Sequence, residues 1–159
     1  MIREPFRFRQ TFATILAEYP EHVAAAREGM IRARQVLEAQ IARDPFFQMT
    51  FDPYIPDSSE LVIRRMADAS KKAGVGPMAA VAGAIAWAGV ESMADAGAVF
   101  GVIDNGGISL LSATARYGLG YMQLKRCSQT GSLLLSRHRI QSLGSVRPRH
   151  RSDLQSLLE

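Results

Sequence analysis

A domain of mixed α and β structure is what the sequence predicts, and three observations predict it. Residues 6–17 alternate in polarity with period two, as a half-buried strand does. Two later stretches repeat apolar residues every three or four positions, as helices do. Asp104-Asn105-Gly106-Gly107 carries turn chemistry directly after an apolar run, which points to a β-hairpin.

Taken in order, Phe6, Phe8, Gln10, Phe12, Thr14 and Leu16 fall on one side of an extended chain. Arg7, Arg9, Thr11, Ala13 and Ile15 fall on the other, so 6–17 reads as one strand. Pro20 suits the first position of a helix, where a missing N–H costs nothing. Val23, Ala26, Met30, Ala33, Leu37 and Ile41 form its apolar stripe. Asp44-Pro45 ends it, because the residue before a proline is pushed out of the helical region. Residues 46–56, FFQMTFDPYIP, read as an irregular, well-packed connection. Asp57 followed by Glu60 resembles a capping box. Val62, Met66, Ala69 and Ala73 give a second stripe, stopped by Gly74.

A third helix is expected from Pro77 to Gly97. It carries no charge from Met78 to Val90, too short a run for a membrane span, so burial on most sides is predicted. Ala79, Ala82, Gly83 and Ala86 would let neighbouring backbones come close. Residues 98–103 read as an inner strand. The turn after it places Asn and Gly at positive φ, and Ile108-Ser109-Leu110-Leu111 can begin the returning strand.

With 159 residues, 47% of them apolar and 21% charged, the composition is that of a globular domain, neither a disordered chain nor a fibre. The start, MIREPFRFRQ, has charges where a signal peptide would be apolar, and a cytoplasmic protein is expected. A lone cysteine, Cys127, excludes an internal disulfide framework and a cysteine-rich zinc site. The net charge of +4 is unevenly spread: residues 1–107 sum to −2 and residues 108–159 to +6. Leu, Ser and Arg make up more than half of that last stretch. The organisation read from this is a folded part, 1–107, and an aberrant, poorly ordered basic tail, 108–159.

Two places could carry chemistry. At Gly74, Gly76 and Pro77 a helix N-terminus could cradle a phosphate; spacing alone favours the plainer reading, that one helix stops on glycine and another starts on proline. At Asp104, Asn105, Gly106 and Gly107 a carboxylate could meet a metal or a ribose, or the segment is a hairpin turn and no more. His22, His138 and His150 lack metal-ligand spacing and read as surface residues. Cys127 has no base partner in view, and Trp87 reads as core. Arg137-His138-Arg139 and Arg147-Pro148-Arg149-His150-Arg151 could attract nucleic acid, the least favoured reading of the tail.

The string Gly74-Val-Gly-Pro-Met-Ala-Ala-Val-Ala-Gly-Ala, followed by Asp104-Asn105-Gly106-Gly107, resembles the ApbE-like superfamily, best known for FAD:protein FMN transferases. It is closer to the branch called uncharacterised protein family 0280, as are Asp44-Pro45-Phe46-Phe47 and Asp52-Pro53-Tyr54. The resemblance covers roughly residues 1–107. It implies an α+β fold with helices packed on a mainly antiparallel sheet. It also implies a flavin (FAD or FMN) or another small phosphate-bearing ligand, with Mg²⁺, at the two glycine motifs. No membrane partner is implied, and a homo-oligomer is compatible with it. In the transferases a lysine-glycine step precedes the helix that begins here at Pro77; Val75-Gly76 stands in its place. That departure weakens FMN transfer as the activity, and a non-enzymatic interaction module using residues 46–56 is the alternative.

After Gly107 the resemblance breaks off. The family continues with G-G-D-I-A, a strand like R-V-G-L-Y-A-G and a later G-I-C-T-S-S…V-G-P-S. Reading the tail one nucleotide out of frame brings these back in order. Gly106 to Leu110 can read G-D-I-A, Arg116 to Gln123 can read V-R-V-G-L-Y-A, and Gly144 to Gln155 permit I-C-T and then S-S-A-S-V-G-P-S. The expectation is a truncated family member, inactive in this form, with a frameshifted tail.

Overall fold

The computed structural model describes residues 1–115, 118–126 and 133–138, with side chains through residue 110. The architecture is α+β: helices lie on one face of an antiparallel sheet. Six strands follow one another as neighbours, β1 (Ile2–Phe8), β2 (Thr11–Ala17), β3 (Phe100–Asn105), β4 (Ile108–Ala115), β5 (Gly118–Arg126) and β6 (Leu133–His138). Every adjacent pair is antiparallel. Inserted between β2 and β3 are α1 (Pro20–Arg43), α2 (Phe46–Met49), α3 (Leu61–Ala73), a 3₁₀ turn (Pro77–Ala80) and α4 (Val81–Asp95).

The single strand expected at 6–17 is instead a hairpin. Phe8 pairs with Thr11, and Arg9-Gln10 form the two-residue turn. Arg9 takes φ 52°, the sign that turns matched to the strand twist require. Because the paired numbers sum to an odd value, the inward face switches parity across the turn. Phe6 faces the core from β1, but Thr11, Ala13, Ile15 and Ala17 do so from β2, while Phe12 is exposed. Continuous alternation in the sequence hides such a turn, since the polar–apolar beat runs through it.

Helix α1 begins with Pro20 at its first position and ends before Asp44, as predicted, and buries Val23, Ala26, Met30, Ala33 and Leu37. His22, expected at the surface, is buried with them, its ring edge-on to Tyr19 at 5.4 Å. The predicted capping box does not form. The helix starts at Leu61, so Asp57 stands three residues ahead of the N-cap Glu60, out of reach of the first-turn N–H groups. Arg43 holds the Asp57 carbonyl instead, at 2.8 Å.

Residues 46–56 contain α2 and are less well packed than expected: Phe47 is fully buried, but Phe46, Met49, Phe51 and Ile55 are exposed. The third predicted helix opens as the 3₁₀ turn and becomes regular at Val81. Taken together, Pro77–Asp95 is 19 residues with mean hydropathy 1.2, long and apolar enough to cross a membrane by composition alone. As expected, little of it faces solvent: only Ala79 and Asp95 are exposed in that stretch. The inner face of α4 carries Ala84, Ile85, Ala86, Val90 and Met93 into the core. Close contact of α1 and α4 is marked by two glycines that the sequence reading did not pick: a Cβ on Gly29 would sit 2.7 Å from the Ala88 carbonyl of α4, and one on Gly89 would sit 3.2 Å from the Ala26 carbonyl of α1.

β3 is an inner strand, two residues later than predicted, between β2 and β4. The turn residues are Gly106 and Gly107, at φ 60° and 82°. Both need positive φ, as a two-residue hairpin turn of this hand demands. Asn105 is still strand. Expectations placed on Cys127, Arg139 and residues 147–151 lie outside the described residues, and those on the side chains of Arg137 and His138 outside the described side chains.

Candidate functional site

The two sequence motifs come together at the N-terminal half of α4. Asn105 alternates inward on β3, and its Nδ2 donates to the Ala82 carbonyl at 2.9 Å. A Cβ on Gly106 would lie 3.9 Å from Ala82 Cβ, and one on Gly83 would lie 4.0 Å from Ile108 Cγ2. The glycine turn thus sits on the first turns of the helix that Gly74, Gly76 and Pro77 introduce. In strands, neighbouring residues point to opposite faces, so Asp104 faces the other side of the sheet, beside Pro5, Arg7, Phe12 and Thr14.

At the other motif, Gly74 ends α3 at φ 69° and is exposed. Gly76 is buried, and its Cα is covered by backbone: a side chain there would overlap the Thr50 carbonyl oxygen and crowd Phe51 Cα at 3.1 Å. Pro77 is buried behind it. Glycine at 76 is therefore required by close packing of the α2–α3 connection.

Beside these motifs runs a groove of about 480 Å³, within the usual range for small-molecule pockets. Its walls come from α3 (Arg65, Asp68, Lys72), the junction (Val75), the helix (Gly83, Trp87) and β4 (Ile108, Leu110). Val75 stands between the two motif glycines and Ile108 directly follows the turn, so both motifs border one cavity. Trp87, predicted to be core, is half-buried and forms part of this wall.

A polar cluster supports the wall. Arg65 donates through both terminal nitrogens to Glu91, each at 2.6 Å, and Trp87 Nε1 donates to Glu91 Oε1 at 2.9 Å. The guanidinium carbon lies 5.0 Å from the Trp87 ring centroid. Forked ion pairing fixes the guanidinium plane, and the indole edge is fixed with it. Arg65 is thereby neutralised, while among the described residues no ion pair engages Lys72. No group of three His, Cys, Asp or Glu side chains able to hold a metal occurs among the described residues.

Sequence reasoning missed Arg65, Glu91, Lys72 and Ile108. The i, i+4 spacing of Trp87 and Glu91 was a readable signal; their pairing with Arg65 across helices was not.

The family model described as AbpE bacteria matches residues 8–141. A "UPF0280 protein" of Methanoregula boonei is 66% identical over 113 residues, 70% of this chain and 48% of that protein. One of Methanosphaerula palustris is 62% identical over 107 residues, 67% of this chain and 45% of the relative. One of Methanocorpusculum labreanum is 50% identical over 121 residues, 76% and 51% respectively. The chain spans about half the length of the curated relatives it matches.

Proposed function

The chain belongs to the AbpE bacteria family, and from that premise we propose that it is an ApbE-like protein whose groove binds a flavin nucleotide or another phosphate-bearing ligand. The observation that carries the reading is convergence: Asn105 ties the glycine turn to the first turn of the helix that Gly76 and Pro77 introduce, and Val75 and Gly83 put that helix and its junction on the groove wall. Lys72 supplies a cation at its edge, Trp87 an aromatic wall for a planar ring, and Ile108 and Leu110 an apolar floor.

The Mg²⁺ part of the expectation finds a single carboxylate, Asp68, in the groove wall and no group of three His, Cys, Asp or Glu side chains among the described residues: Asp104 faces the opposite side of the sheet, and Glu91 is committed to Arg65 and Trp87. With Val75 where the transferases carry lysine, the proposed activity is binding without FMN transfer.

Trp87 is the single tryptophan and lines the groove, so its emission is a direct probe. Titration with FMN, FAD and ADP should give saturable quenching and a rise in Tm for at least one of them. No change with any of the three overturns the reading.

We also propose that residues from about 108 onward are read out of frame. Support comes from the loss of G-G-D-I-A at Gly107 and from matched lengths of 107 and 113 residues in two relatives, near the length of the chain up to the turn. The strands β4 to β6 and the family match through residue 141 are what an in-frame chain predicts. Nucleotides across codons 104–110 separate the two: a lost base beside the glycine codons supports the shift, and codons incompatible with the shifted motifs remove it.

A further inference from the structure

We propose that the apolar surface of residues 46–55 pairs with the same surface of a second copy of this chain. Phe46, Met49, Phe51 and Ile55 are 53, 64, 91 and 63% exposed, far more than large apolar side chains in one short segment usually are. Asp52 is the one charged residue between positions 45 and 56.

The segment is held in place. Phe47 is fully buried beneath it. Phe46 packs edge-on against Tyr54 with ring centres 5.1 Å apart. Thr50 Oγ1 accepts from the Asp52 N–H at 3.1 Å, and the Thr50 carbonyl is seated on Gly76. A surface fixed in this way loses little freedom on binding. Apolar side chains fixed outward, with few polar groups among them, are complemented by a surface of the same kind, and a second copy brings one at equal concentration.

Area decides that the face is large enough. At roughly 150–250 Å² for a large side chain, these exposures leave on the order of 500 Å² of apolar surface per copy. Two such faces bury on the order of 1,000 Å², the threshold for a specific interface, before any polar rim is counted. Asp52 is the one charge within the segment, and a two-fold relation brings it onto the same face as its copy. Self-association should therefore strengthen with salt, because screening relieves the repulsion. A basic partner on the same face would show the opposite sign.

Sedimentation velocity of the full chain across protein and salt concentrations tests this. The expected result is a dimer that tightens between low and physiological salt. Met49→Asp and Phe51→Asp should each weaken it by on the order of tenfold or more, with circular dichroism unchanged. Asp52→Asn should tighten it, and Phe12→Ser, on the other side of the sheet, should leave it as it was. A monomer at every concentration and salt, a dimer indifferent to Met49→Asp and Phe51→Asp, or a dimer weakened by Asp52→Asn overturns the proposal. The outcome is independent of ligand binding in the groove, which Trp87 emission reports separately.

Discussion

The side-chain amide of Asn105 donates to the Ala82 carbonyl at 2.9 Å, tying the last residue of β3 to the first turn of α4. That bond joins two segments 23 positions apart and holds the glycine turn against the helix that walls the groove.

Asn105→Ala removes the donor from a side chain that is 5% exposed. The expected loss is about 1–3 kcal/mol of stability, as for a buried hydrogen bond broken on one side. Urea denaturation followed by circular dichroism measures it; an unchanged midpoint contradicts the role given to this bond.

Gly76→Ala forces the α2–α3 connection away from the 3₁₀ turn, since the new methyl overlaps a backbone carbonyl rather than a flexible side chain. A cost of about 1–3 kcal/mol is expected, as for overpacking that moves backbone. Thermal unfolding would show it as a lowered Tm.

Glu91→Ala removes the carboxylate that the Arg65 guanidinium and the Trp87 N–H share. Both are partly solvated, so a loss of about 1 kcal/mol is expected. The tryptophan emission should shift as the indole edge is released, and a spectrum identical to the parent protein's counts against the cluster.

Lys72→Ala tests the ligand reading alone. Phosphate-bearing ligands should bind several-fold more weakly and with a shallower salt dependence, the loss of about one exposed cation at the groove. Stability should be unchanged, because no ion pair engages Lys72 among the described residues.

Tyr54 should titrate above its ordinary value of 10.0. Its hydroxyl is hydrogen-bonded to the Asp44 carboxylate, whose negative charge also opposes the phenolate, and burial adds to both. The folded state thus favours the protonated phenol. The stabilisation is fully present below pH 10 and is lost as pH rises through the folded-state value. The difference between alkaline absorbance titrations of the parent protein and Tyr54→Phe should isolate a phenol ionising later than a free tyrosine. One that ionises at or below 10.0 contradicts the contact.

Much of the fold and part of the site were legible from residues alone. Pro20 starting α1, Asp44-Pro45 ending it, Gly74 stopping α3 and Gly106-Gly107 turning the chain are all local events. Proline and glycine restrict or free φ whatever surrounds them, so their effect can be read without a structure. The hairpin at Arg9-Gln10 was invisible because ordinary residues fill that turn, and Arg9 adopts positive φ under the pairing of its neighbours. Asp57 misled because capping depends on where the helix starts, and packing set that start at Leu61.

By itself, then, the sequence determined the class of the fold, the ends of its main helix and the two glycine motifs, through backbone restrictions that each residue carries with it. Only the tertiary structure decided that β2 faces the core with its odd-numbered residues, that His22 lies inside and Phe51 outside, and that Arg65 meets Glu91. It also decided that both motifs border one groove. Those outcomes depend on which surfaces meet across long separations in the chain, and burial is a property of the meeting rather than of the residue.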